Sequence, residues 1–147
     1  MSRIPRYQEH LKTAFTAEAA SAARYRANAE HAEREGRTNL ARRWLRLAVE
    51  KDRLAIELLE ASGQVRTLDA NLGDAISEER YEIDALYPRM IRDVDEHTAD
   101  VFLKVVAAQK EHLRELEALR EEANAAQGDV LLPPEVDKGT APSAPLS

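Results

Sequence analysis

Seven polar side chains occupy positions on apolar helical stripes where core residues belong: Glu18, Glu50, Arg53, Glu79, Glu82, Gln109 and His112. Three pairs among them, Glu50 with Arg53, Glu79 with Glu82 and Gln109 with His112, are three residues apart, which puts each pair on one face of a helix. Four inward carboxylates are costly, because the effective desolvation penalty is several kcal/mol per ion. Arg53 offsets one charge and a protonated His112 another, so at least two negative charges remain. They must be protonated, hydrated or balanced by a metal cation. A dinuclear carboxylate site in a helix bundle uses a Glu from each of two helices and Glu-x-x-His from each of the other two. In this chain Glu18 is followed by Glu50-Lys51-Asp52-Arg53, and Glu79 and Glu82 are followed by Gln109-Lys110-Glu111-His112.

Four segments with helical periodicity must position these groups. Over residues 7–35 the stripe is Leu11, Phe15, Glu18, Ala22, Tyr25, Ala29 and Ala32, with Gly36 as C-cap and Thr38 as the next N-cap. Over 39–62 it is Leu40, Trp44, Leu47, Glu50, Leu54, Leu58 and Ala61, stopped by Gly63. Leu45, Val49, Ile56 and Leu59 widen this sector, so the helix is expected to have neighbours on two sides. Over 67–96 it is Leu68, Leu72, Ala75, Glu79, Glu82, Leu86 and Met90, with Thr67 as N-cap and a kink expected at Pro88. Over 98–124 it is Phe102, Val105, Gln109, His112, Leu116 and Leu119. Residues 1–125 read as one all-α four-helix domain. Residues 126–147, with Pro133, Pro134, Pro142 and Pro145, read as a disordered or loosely docked tail, in which Leu131 and Leu132 are candidate anchors for a protein partner.

Composition narrows the chemistry. The chain has 147 residues, 33% charged and 44% apolar, with 5% aromatic and five Gly, which fits a helical domain better than a sandwich or barrel. It has no Cys, which excludes disulfides, thiolate metal sites and cysteine nucleophiles. A net charge of −6 makes nucleic acid a poor partner. Arg34, Arg37, Arg42, Arg43 and Arg46 are interrupted by Glu33 and Glu35 and read as a solvated face. His10, His31 and His97 read as solvated too. With no secretory signal and no apolar run of membrane-spanning length, the expectation is a cytoplasmic protein with no membrane partner.

Ala14-Phe15-Thr16-Ala17-Glu18 followed by Ala23-Arg24-Tyr25, and Ala75-Ile76-Ser77-Glu78-Glu79-Arg80-Tyr81-Glu82 running on to Tyr87-Pro88, resemble the first- and third-helix motifs of the rubrerythrin family, the ferritin-like di-iron peroxidases. The resemblance covers about residues 10 to 120. It implies a ferritin-like four-helix bundle in which Glu18, Glu50, Glu79, Glu82 and His112 are metal ligands. Tyr25 and Tyr81 would donate hydrogen bonds to ligating carboxylates. Arg53 stands where the family has His, and Gln109 where it has Glu. Arg cannot ligate a metal, whereas Gln offers a weaker, neutral carbonyl.

Three states of the site stay open. One is a two-metal centre weakened at Arg53. Another is a single iron or manganese held by Glu79, Glu82 and His112, with Glu50 as a further donor. The third is a metal-free core in which Arg53 pairs with Glu18, Glu50 or Glu82. The implied function is peroxide or oxygen reduction in oxidative-stress defence. His112 would orient or protonate an oxygen beside Tyr25, and an external protein or small reductant would supply electrons. The rival is a non-catalytic scaffold. Only residues 63–67 lie clearly between helices two and three, a reach of about 17 Å. A lengthwise crossover needs about 30 Å. A homodimer with exchanged helix pairs, or an up-and-down bundle, is therefore expected.

Overall fold

A computed structural model describes residues 5–132. It is all-helical, with no strand among the described residues: α1 Arg6–Arg34, α2 Thr38–Ala61, α3 Leu68–Tyr81, a π-helical segment Glu82–Leu86, α4 Tyr87–Ile91 and α5 Glu96–Ala125. The chain divides into two compact units, one ending at Val65 and one beginning at Arg66. No helix among the described residues is long and apolar enough to cross a membrane. Residues 133–147, most of the expected tail, lie outside the described residues. Within 126–132, the Leu131 N–H bonds Glu122 Oε1 at 3.0 Å, and the Leu131 and Leu132 side chains are exposed.

The first unit is an antiparallel pair, α1 and α2. Both helices end in the same way. Gly36 and Gly63 adopt left-handed φ values of +74° and +77°. Arg37 N–H then reaches back to Ala32 C=O at 2.8 Å, and Gly36 N–H to Glu33 C=O at 3.0 Å. Gln64 to Leu59 and Gly63 to Glu60 repeat the pattern at 3.4 and 3.0 Å. This double bond closes the last carbonyls of a helix and needs a residue without a Cβ penalty at positive φ. The expected N-cap Thr38 is instead the first helical residue. Arg37 holds the cap position with no side-chain cap bond, because the chain leaves α1 and enters α2 within three residues.

Alanines make the seam between α1 and α2. Ala22, Ala29 and Ala32 on α1 and Ala41, Ala48 and Ala55 on α2 are its buried residues, each at most 5% exposed. The α2 alanines recur every seven residues, the spacing that keeps one line facing a partner helix. A methyl group is the smallest side chain that fills such a line, so the two backbones approach closely. Trp44 and Leu45 close one end of the seam, with Tyr25 tilted on Trp44 at 5.1 Å. The α2 stripe expected from the sequence is thereby corrected by one residue. The helix turns Ala41, Ala48 and Ala55 inward and leaves Leu40, Leu47 and Leu54 44–46% exposed.

In the second unit, α5 packs against α3, the π segment and α4. The two N-caps are filled: Thr67 Oγ1 accepts from Ala70 N–H at 3.2 Å and Asp95 Oδ1 from Thr98 N–H at 3.0 Å. Ile76 is its buried apolar residue, and Tyr87 meets Phe102 edge-on at 5.5 Å. Next to Pro88, where a kink is expected, a π segment precedes the proline, in which Tyr87 N–H bonds Glu82 C=O five residues back. Pro88 has no N–H to donate and its ring crowds the preceding turn. The wider π turn relieves that crowding upstream, and helix resumes with the proline in its first turn. The third helical segment also stops at Ile91 rather than 96, and Asp95 starts α5 instead.

Two substitutions test this packing. Ala48→Leu puts three extra carbons into the seam and is expected to destabilise by about 1–3 kcal/mol in urea unfolding. Thr67→Ala removes the α3 cap and is expected to cost about 1 kcal/mol. An unchanged or raised midpoint for Ala48→Leu would contradict the seam.

Candidate metal-binding cluster on the second hairpin

The polar residues singled out by spacing fall into two sets, one on each hairpin. On the first, Glu18 of α1 is already satisfied: Lys51 Nζ donates to its Oε2 at 2.7 Å, both side chains being about a quarter exposed. The bond to Glu18 holds the Lys51 ammonium above lysine's ordinary pKa, with burial opposing. Beside it, Arg26 donates to Asp52 at 2.8 Å. Glu50 and Arg53 are exposed on the outer side of α2. The expected pairing of Glu18 with Arg53 is therefore corrected: the cation that meets Glu18 is Lys51. The step of seven from Glu18 to Tyr25 along α1 is matched by the step of seven back from Lys51 to Trp44 along α2. That antiparallel register brings position 51 rather than 50 or 53 to the seam.

On the second hairpin, four of the residues form two neighbouring pairs, Gln109 with Glu82 and His112 with Glu79. Glu79 lies in the last turns of α3, and Glu82 three residues on begins the π segment. Single π turns inside helices recur at functional sites. Gln109 projects from the middle of α5 and is 8% exposed, the one buried polar residue described. Its Nε2 donates to Glu82 Oε1 at 2.6 Å, a short charge-assisted bond that fixes the carboxamide. His112, one turn later and mostly exposed, has Nδ1 3.9 Å from Glu79 Oε1, too long for a hydrogen bond.

Two atoms of this cluster are buried without a partner: Glu79 Oε2 and Gln109 Oε1. A buried unpaired acceptor costs about 1–3 kcal/mol. Both orphans are acceptors, so a hydrogen-bond donor, a cation or, for Glu79, a proton relieves them. Carboxylate and carboxamide oxygens with an imidazole at the rim form a mixed oxygen–nitrogen donor set, suited to a divalent iron or manganese ion. Among the described residues no three His, Asp or Glu side chains are already drawn to one metal-sized point. Gln109 lies outside that residue set and supplies one of the two orphaned oxygens.

The remaining expected participants lie elsewhere. Tyr25 packs tilted against Trp44 in the first hairpin. Tyr81 is half exposed and accepts from Arg89 at 3.3 Å. Lys51 was missed by the sequence reading, although its signal is present. It follows Ala48 by three on the line of alanines that faces α1. The chain matches no protein-family model and no curated protein.

Because Lys51 has a raised pKa in the folded chain, its pair with Glu18 contributes stability that is complete below lysine's ordinary pKa. That contribution is lost as pH rises through the raised value. The pH dependence of stability on the alkaline side is expected to flatten in Lys51→Met, measured as urea midpoints across alkaline pH. An unchanged alkaline slope would show that the pair does not form.

Proposed function

We propose that the protein is a non-haem metal-binding protein of the rubrerythrin type, with iron or manganese held by the second hairpin and peroxide or oxygen as its substrate. One observation carries this reading: two buried acceptors, Glu79 Oε2 and Gln109 Oε1, have no partner while Glu82 and His112 stand beside them. Glu79 would supply a carboxylate oxygen and Gln109 its carbonyl oxygen. The 2.6 Å bond from Gln109 Nε2 to Glu82 keeps that carbonyl turned to one side, so it need not be reoriented on binding. A bound iron or manganese ion would supply the electron exchange with peroxide or oxygen. The mostly exposed His112 imidazole would hold and hand on the proton that a reduced oxygen requires. With no Cys in these residues to carry an iron–thiolate module, electrons would reach the site from outside this domain. A ferritin-like arrangement of the helices belongs to the same proposal and rests on the motifs around Glu18 and Glu79.

The first hairpin favours one metal over two. Glu18 carries a lysine ammonium where a second metal would need an open carboxylate, and Arg53 adds a further positive charge on the same helix. The same pair is what supports the second reading, a non-catalytic scaffold in which built-in cations replace metals.

Metal analysis after reconstitution with ferrous iron separates these readings. The expected result is one ion per chain, lost in Glu79→Gln and retained in Lys51→Met. Gln109→Glu, which restores a carboxylate, is expected to tighten binding. Thermal unfolding should shift upward with iron, by about 2.7 kcal/mol at a hundredfold excess over Kd. No bound metal, with stability unchanged by chelator, would contradict the metal-binding reading.

A further inference from the structure

The charge of the second hairpin's polar residues depends on which of them ionise. Glu79 and Glu82 are carboxylates, and among the described residues no Lys or Arg pairs with either. Neighbouring guanidinium groups are engaged elsewhere. Arg80 Nη2 meets Glu117 Oε2 at 2.8 Å, Arg114 meets Glu111, and Arg120 Nε lies 3.5 Å from Asp69 Oδ1. His112 carries a charge only when protonated, and a protonated imidazole has no lone pair for a metal.

The remaining member is neutral. Gln109 is 8% exposed, and its Nε2 donates to Glu82 Oε1 at 2.6 Å. A glutamate has nearly the same shape. At that distance, however, two carboxylates do not both stay ionised without a cation between them. The amide avoids the conflict. It adds no charge, and its N–H draws on the charge that Glu82 already carries. On the first hairpin the acid Glu18 is treated in the opposite way, with the Lys51 ammonium placed on it.

From this arrangement we infer that Gln109 selects the charge of the ion held by the second hairpin, favouring a divalent over a trivalent state. This rests on the metal-binding reading proposed above. Glu79 and Glu82 with a neutral amide and a neutral imidazole carry a charge of minus two, one from each carboxylate. A divalent ion cancels that charge. A trivalent ion leaves one positive charge uncompensated beside buried Gln109, and burial makes such a charge costly. The short bond to Glu82 acts in the same direction, because a carboxylate that accepts it has less charge to offer an ion. Iron in this setting is favoured as ferrous and manganese as Mn2+. A carboxylate at position 109 would move the balance toward the trivalent ion.

Potentiometric titration of the iron-reconstituted full chain tests the inference. The ferric/ferrous midpoint is expected to fall in Gln109→Glu by about 59 mV or more, which is a tenfold rise in preference for ferric iron. Gln109→Met, of similar length, removes the bond to Glu82 without adding charge, and its midpoint is expected to stay nearer the wild-type value. A purely structural role would move both variants alike. Without metal, Gln109→Glu is expected to melt below the wild type and to be restored by Mn2+. With iron bound to the wild type, three results would overturn the inference and leave the metal-binding reading standing. They are an unchanged or raised midpoint in Gln109→Glu, an equal fall in Gln109→Met, and a Gln109→Glu chain that neither Fe2+ nor Mn2+ folds. No iron in the wild type would overturn both.

Discussion

The alanine seam is the constraint on which the first hairpin depends. Two long helices joined by a three-residue turn can approach closely only if the line between them is filled by methyl groups. Ala41, Ala48 and Ala55 at strict sevens provide that line on α2. Once the backbones are close, the register is set, and the register decides every other contact. It brings Lys51 to Glu18 and Trp44 to Tyr25. It also turns the leucines aside, so that the largest apolar groups of α2 are left for something other than α1. Close packing and a thin core are thus two results of one choice of residue.

The second hairpin is built on different terms. Its contacts run through half-buried aliphatic and aromatic side chains rather than alanines, and one polar residue is taken into the middle. Burying Gln109 is tolerable on its nitrogen side, where Glu82 accepts. It is not satisfied on its oxygen side, and Glu79 shares the deficit. The π segment begins at Glu82, at the point where the chain must accommodate Pro88. Backbone irregularity and unsatisfied polarity therefore fall on the same hairpin. The contrast with Glu18 is informative: an acid of the same type, on the other hairpin, is closed by a lysine.

Helix existence was legible in the sequence, since four long periodic segments, Gly36 and Gly63 and the Thr67 cap all carry local signals. The placing of Glu79 with Glu82 and of Gln109 with His112, each one turn apart, was legible for the same reason, and the hairpin brings Gln109 to Glu82 and His112 near Glu79. What was not legible was the choice between adjacent lines on α2. Leucine is more apolar than alanine, so a hydrophobicity reading selects Leu40, Leu47 and Leu54 as the inward line. Closeness of approach selects the alanines instead, and the error of one residue carried Glu50 and Arg53 inward in place of Lys51. The site of the irregularity near Pro88 was legible, but its form was not. The π turn that meets the proline shows only in the hydrogen bond from Tyr87 to Glu82.

The central claim is that the second hairpin's unpaired acceptors are completed by a cation. Anomalous X-ray diffraction at the iron edge, from crystals grown with ferrous iron, tests it most directly. The account predicts one peak per chain within bonding distance of Glu79 Oε2 and Gln109 Oε1. It would be contradicted by a map with no peak there in which both oxygens accept hydrogen bonds from ordered water or from a neighbouring side chain.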